Sequence, residues 1–145
     1  MSRFRKLTHT LWHCQYHIIW TSKYRYRVLE GRVKLETEYR IRANVEQFGA
    51  EIVELNVRVD HVHVIVMMAP KYNISNLMGR VKGKSAQRIF RLFPSLRKTR
   101  YWGNKLWASG YCVDTVGINA EMIRKYVKHQ EAKDIRDEQL RFNLK

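Results

Sequence analysis

From about Thr10 to Trp20 hydrophobic and polar positions alternate. Trp12, Cys14, Tyr16, Ile18 and Trp20 fall on one side, and His13, Gln15 and His17 on the other. That period of two predicts a strand buried on one face. After a basic-aromatic connection, Ser22 to Arg27, the period changes. Leu29, Val33, Ile41, Val45 and Phe48 recur at helical spacing with charges between them, and Gly49 follows as a stop. Two further strands are expected over Glu51 to Arg58 and His61 to Met68, joined by a tight turn near Val59-Asp60. Asn73 or Ser75 can cap a second helix running to about Phe93, whose apolar stripe is Leu77, Met78, Val81, Ile89 and Leu92. Ser109-Gly110 is a turn, Tyr111 to Val116 a fourth strand, and Asn119 can cap a last helix from Ala120 to about Lys133.

The order is βαββαβ with one additional C-terminal helix. It predicts an α+β fold of the ferredoxin-like, split βαβ type, an antiparallel sheet with its first and third strands at the centre. Two helices then cover one face and leave the other open. On the third strand, Val62, Val64 and Val66 should meet the helices, with His61, His63 and Ile65 on the open side. His13, Gln15 and His17 of the first strand fall on that same side. An RNA-recognition sheet of this topology would present aromatic rings there for base stacking. This one presents imidazoles.

Composition narrows the setting. The 145 residues, 45% hydrophobic and 12% aromatic, fit one globular domain. Residues 1–7 are expected to form a basic N-terminal arm and residues from about 134 to 145 a flexible tail. Cys14 and Cys112 belong to no paired motif, which favours a reduced, cytoplasmic protein. No run is long or apolar enough to span a bilayer. Lys and Arg number 28 against 13 Asp and Glu, a formal charge of +15. Such an excess attracts polyanions, nucleic acid first among them, without separating a scaffold from an enzyme.

The chemistry-bearing pattern is Asp60-His61-Val62-His63-Val64. Residues two apart on a strand point the same way, so both imidazoles can approach one cation, although a chance pair inside a strand is the plain alternative. Two imidazoles do not fill a coordination sphere, and a third donor must come from elsewhere. On the last helix Tyr126 and Gln130 are i, i+4 and share a face. They can bring a phenol and an amide oxygen to one place, or Tyr126 can belong to an apolar stripe with Met122, Ile123 and Val127 while Gln130 is solvated.

Together these segments resemble a known family, the small single-tyrosine HUH transposases of bacterial insertion sequences (the TnpA type, IS200-like). The matching pieces are Gln15-Tyr16-His17-Ile18-Ile19-Trp20 with Lys23-Tyr24-Arg25, then Asp60-His61-Val62-His63 and Met78-Gly79-Arg80-Val81-Lys82-Gly83-Lys84-Ser85. Trp107-Ala108-Ser109-Gly110-Tyr111, Thr115-Val116-Gly117 and Tyr126-Val127-Lys128-His129-Gln130 complete the set, from about Thr8 to Lys133. The resemblance implies that His61, His63 and Gln130 bind Mg²⁺ or Mn²⁺ and that Tyr126 is the nucleophile. It implies a single-stranded DNA substrate with hairpins near the element ends, a 5′-phosphotyrosine intermediate, and a homodimer in which the tyrosine helix of one subunit can complete the metal site of the other; Gly117, before that helix, suits a hinge for the exchange or is an ordinary turn glycine. It implies too a bacterial cytoplasm, with the protein on the nucleoid when bound to DNA. No glycine loop for nucleotide phosphates is present, since Gly79 to Ser85 lacks the second half of that spacing.

Cations beyond the site point to DNA. Arg80, Lys84, Arg88 and Arg91 share one face of the second helix with Lys82 nearby, five cations without an acid among them. Lys23 and Arg25 interleave with Tyr24 and Tyr26 and can track a single strand, or the rings can simply pack on the sheet edge. Trp102 and Trp107 are expected in the core or a dimer interface. The alternatives are a domesticated relative that processes palindromes by the same chemistry, a replication initiator or relaxase, and a non-enzymatic ferredoxin-like nucleic-acid-binding module. A single tyrosine downstream of the histidines disfavours the initiator.

Overall fold

The computed structural model describes residues 5–7, 10–12, 14–99, 105–115, 132, 135–137 and 139–140. Its main sheet has four antiparallel strands in the order β4-β5-β3-β6. They are β3 (Gln15–Thr21), β4 (Glu51–Val57), β5 (His61–Met67) and β6 (Cys112–Thr115). Helix α1 (Gly31–Phe48) joins β3 to β4, and α2 (Ile74–Leu92) with the short α3 (Pro94–Thr99) lies between β5 and β6. This is the βαββαβ order expected, with β3 and β5 paired at the centre.

The first strand is shorter than its alternation. β5 ends at Met67, opposite Gln15, and beyond that pair only the Cys14 carbonyl still accepts from the Met68 amide, at 3.1 Å, so Thr10–Trp12 runs past the end of β5. Thr10–Trp12 (β2) instead pairs with Arg5–Leu7 (β1) in a separate two-stranded ribbon, because backbone donors and acceptors need partners. The N-terminal arm therefore carries a strand, and Arg5 meets Glu51 of β4 at 2.9 Å. Trp12 does not share a sheet face with Ile18 and Trp20. In the expected tail, residues 135–137 and 139–140 have helical backbone.

Helix boundaries follow local chemistry. Asn73 Oδ1 accepts from the Asn76 amide at 2.7 Å and starts α2, so Asn73 rather than Ser75 is the cap. Gly49 ends α1 in a left-handed conformation (φ 102°) and returns its amide to Val45 and Glu46. A Cβ at that position would stand 3.0 Å from the Tyr72 hydroxyl. The core lies on the helix side of the sheet. Ile18, Trp20, Val62, Val64 and Val66 pack there with Ile41 and Val45 of α1 and Leu77, Met78, Val81 and Ile89 of α2. Phe90, not Leu92, takes the last buried place on α2; Leu92 is exposed. Pro94 opens α3, a turn of helix that hydrophobic periodicity does not announce.

Trp107 is core, as expected. It is 5% exposed, stands edge-on to Trp20, and donates its indole N–H to the fully buried Ser85 Oγ at 2.9 Å. Both cysteines are free. Among the described residues no helix is long and apolar enough to cross a membrane.

Candidate active site

On β5 every second side chain is locked into the core. Val62, Val64 and Val66 are at most 2% exposed, whereas His61, His63 and Ile65 are half-buried on the other face. The ladder sets Thr21 opposite His61, Ile19 opposite His63 and His17 opposite Ile65, so the polar side of β3 adjoins the histidines. On the other flank Asn56 pairs with His63 and Glu54 with Ile65. The expected split of faces is thus borne out for His17, His61 and His63; His13 lies outside the described residues.

The two imidazoles are held differently. His61 Nδ1 lies 2.8 Å from Asp60 Oδ1, and Arg25 donates to Asp60 Oδ2 at 3.0 Å. The hydrogen bond from His61, reinforced by Arg25, holds the Asp60 carboxyl below the usual carboxylate range. The His63 ring lies against His17, with centroids 3.9 Å apart and planes 34° from parallel. Nε2 of His63 and Nε2 of His17 are both buried without a hydrogen-bond partner among the described residues. Burial, and then the neighbouring His17, pushes the His63 pKa down, which favours the neutral ring.

A neutral imidazole with a buried, unpartnered nitrogen is a donor lacking an acceptor of its lone pair. Beside it, His61 has its Nδ1 occupied by Asp60, and its Nε2 has no hydrogen-bond partner among the described residues. That donor set fits a divalent cation needing nitrogen ligands, with oxygens supplied by others. Among the described residues no three His, Cys, Asp or Glu side chains gather as a ligand group, so the pair requires a further donor. Tyr126 and Gln130, with Gly117 and Trp102, lie outside the described residues.

The cations are distributed unevenly. Arg80, Lys84 and Arg91 are exposed on α2, Arg88 is half-buried, and Arg80 also reaches Gln47 of α1 at 2.9 Å. Lys82, also expected near the phosphate track, is held differently from its exposed neighbours. Its ammonium donates to the Ala108 and Gly110 carbonyls, both at 2.8 Å, because it projects under the segment that leads into β6. Burial lowers its pKa. Arg25, also expected on DNA, pairs with Asp60 through one guanidinium nitrogen while its side chain stays 72% exposed, and Lys23 stands 5.2 Å from the Tyr24 ring centre. A basic cavity of about 830 Å³, lined among others by Arg91, Lys105 and Trp107, lies between α2 and the 105–107 segment; the histidines are not part of it.

Sequence reasoning missed three participants. His17 was expected only to share the open face, and its contact with His63 follows from strand register. The Asp60–His61 bond needs a side chain bent back on its own neighbour at the turn. The Arg25–Asp60 pair joins residues 35 apart. The one available signal was an acid directly before the histidine pair.

Comparison with known proteins agrees with this architecture. Residues 10–130 match the family model described as transposase IS200 like. The chain is 37% identical over 136 residues to a transposase for insertion sequence element IS200 from Salmonella typhimurium, covering 94% of this chain and 89% of that one. It is also 37% identical over 121 residues to the ISDra2 transposase TnpA of Deinococcus radiodurans, with 83% and 86% covered. A solved protein from D. radiodurans R1 carrying a provisional transposase assignment superposes with a TM-score of 0.73 at 35% identity, covering 87% of this chain and 97% of that one. A REP-associated tyrosine transposase, solved bound to a REP hairpin, shares the fold at 14% identity and a TM-score of 0.55, with 89% and 68% covered. A family match that spans the whole sheet and both histidines leaves one conclusion: the chain belongs to the IS200-like transposase family.

Proposed function

We propose that this protein is a metal-dependent single-strand DNA transposase that cuts and rejoins insertion-sequence ends through a 5′-phosphotyrosine intermediate at Tyr126. The observation that carries the proposal is the pair of imidazoles, His61 and His63, set side by side on the uncovered face of the central strand in a chain of this family. His61, His63 and Gln130 would hold Mg²⁺ or Mn²⁺. Such a cation, when bound, neutralises charge on the non-bridging phosphate oxygens and polarises the scissile phosphodiester.

The residues of the chain supply the rest. Tyr126 is the nucleophile: its phenolic oxygen bonds to phosphorus, the P–O3′ bond breaks, and the 3′ oxygen leaves with a proton as a hydroxyl. A free tyrosine titrates near pH 10, so the phenol must lose its proton as it attacks. The phosphotyrosine conserves the phosphodiester, and a 3′-hydroxyl attacking that phosphorus restores both the DNA strand and the tyrosine. No nucleotide hydrolysis is needed. Stiff β5 fixes the two imidazoles, which suits positioning of a phosphate over the open face.

The substrate is single-stranded DNA bearing hairpins at the element ends. Support comes from the +15 charge and from Arg80, Lys84 and Arg91, exposed along one helix. The assembly is a homodimer in which the helix bearing Tyr126 completes the partner's site. β6, all four of whose residues are exposed, leads into the segment that would be exchanged.

The test is incubation with labelled single-stranded hairpin DNA and Mg²⁺ or Mn²⁺. A covalent protein–DNA adduct that disappears in Tyr126→Phe is expected. Absence of the adduct in the wild type, or its persistence in the variant, overturns the mechanism. The double change His61→Ala with His63→Ala should abolish cleavage and spare hairpin binding.

A further inference from the structure

We infer that Arg25 and Asp60 form a positioning relay for His61: the carboxylate of Asp60 fixes the imidazole with its proton on Nδ1 and its Nε2 lone pair free, and Arg25 fixes the carboxylate. The inference deepens the proposal above, on which it rests only for the identity of the ligand that Nε2 receives.

The chemistry follows from donor and acceptor types. A carboxylate only accepts, so at 2.8 Å from Asp60 Oδ1 the His61 Nδ1 must carry the hydrogen. The ring of a neutral imidazole then has its lone pair on Nε2, the tautomer a ligating histidine needs when bound through that atom. The second carboxylate oxygen accepts from Arg25 at 3.0 Å, so neither oxygen is left to pull the side chain elsewhere. Asp60 is itself buried, 8% exposed, which restricts it to this arrangement.

The backbone around Arg25 is built for the contact. Tyr24 and Arg25 both occupy the left-handed region, at φ 57° and 53°. For residues other than glycine each such conformation costs about 1 kcal/mol or more, and it persists only where the surroundings impose it. Here they do. The fully buried Ser22 gives its amide to the Asp60 carbonyl at 3.0 Å and its hydroxyl to the Tyr26 carbonyl at 2.7 Å, and the Lys23 amide bonds to the Leu106 carbonyl at 2.8 Å. The strained turn and the Asp60 turn are thereby stapled together. A guanidinium spent on a surface phosphate would need none of this.

The experiment compares wild type, Asp60→Asn and Arg25→Asn as full-length proteins. Asparagine tolerates the left-handed backbone at position 25, so that change removes the guanidinium without adding strain. Three readouts are taken: the ¹⁵N shifts of the His61 ring in metal-free protein, the Mn²⁺ dissociation constant by electron paramagnetic resonance without DNA, and hairpin binding in EDTA. The wild type should show the Nδ1–H tautomer. Both variants should lose its dominance, with Mn²⁺ affinity falling about 10- to 100-fold in Asp60→Asn, the range seen when partners of ligating histidines are removed. Hairpin binding by Arg25→Asn should stay within about twofold of wild type. An Nε2–H tautomer in the wild type, or ring shifts unmoved in both variants, overturns the relay. So does a Mn²⁺ affinity unchanged in Arg25→Asn while its hairpin binding collapses, which would make Arg25 a DNA contact. If the wild type shows the Nδ1–H tautomer, lost in both variants, yet binds no Mn²⁺, the relay stands and the metal proposal falls.

Discussion

Lys82 offers a decisive contrast between a structural and a DNA-binding cation on one helix. Lys82→Met keeps the aliphatic stem and deletes an ammonium that holds two carbonyls at 2.8 Å, those of Ala108 and Gly110. Hydrogen bonds to a charged group contribute about 1.5–3 kcal/mol each. Two effects reduce that figure: burial disfavours the ammonium, as its lowered pKa records, and the Gly110 carbonyl is exposed enough to rehydrate. A net loss of about 1–3 kcal/mol is expected, a clear shift of the urea midpoint at constant slope. Hairpin binding measured against salt gives the opposing readout. Each phosphate contact contributes roughly 0.7 to 0.9 to the slope of log K on log salt. Arg91→Gln, at an exposed position, should lower that slope by about one such increment at unchanged stability, whereas Lys82→Met should leave it alone. A Lys82→Met protein of wild-type stability whose salt slope drops by one contact would refute the brace.

Ser85, His63 and Gly49 each give a further outcome. Ser85→Ala leaves the Trp107 N–H buried without its acceptor and should cost about 1–3 kcal/mol in urea unfolding, with Ser85→Ala plus Trp107→Phe losing less than the sum of the two single changes. For His63 the folded pKa lies below the ordinary 6.5, so below that value the unfolded chain binds more protons. Stability of the metal-free protein is therefore held above about pH 6.5 and falls as acid approaches the lowered pKa, and His63→Gln should flatten this dependence. A wild type equally stable on both sides of that window would contradict it. Gly49→Ala forces a Cβ into the left-handed region and against the Tyr72 hydroxyl, and should lower stability by about 1 kcal/mol or more, read as a fall in Tm.

Much of the fold was legible because burial is periodic. The valines of β5 and the Ile18–Trp20 alternation announce which side meets the helices, and Asn73 and Gly49 mark helix ends by backbone chemistry that is local. What could not be read depends on partners distant in sequence. Thr10–Trp12 alternates as well as Ile18–Trp20 does, yet it leaves the sheet because β5 has already ended at Met67. Nothing within the segment encodes that. Lys82 and Lys84 likewise differ little as letters. One stands over two carbonyls of a segment about 26 residues on, the other faces solvent.

The candidate site divides along the same line. That His61 and His63 share a face is a property of one strand, and the three valines between and beyond them make it rigid. Each buried valine resists twisting of β5, so core packing fixes the backbone from which both imidazoles project. What each imidazole can do is set across strands and turns: His17 against His63 from β3, and Asp60 with Arg25 against His61 from two turns held together by Ser22. An isolated His-x-His pattern carries the first kind of information and none of the second. A strand with this alternation but without the neighbouring turn would place two imidazoles correctly and leave their tautomers to chance.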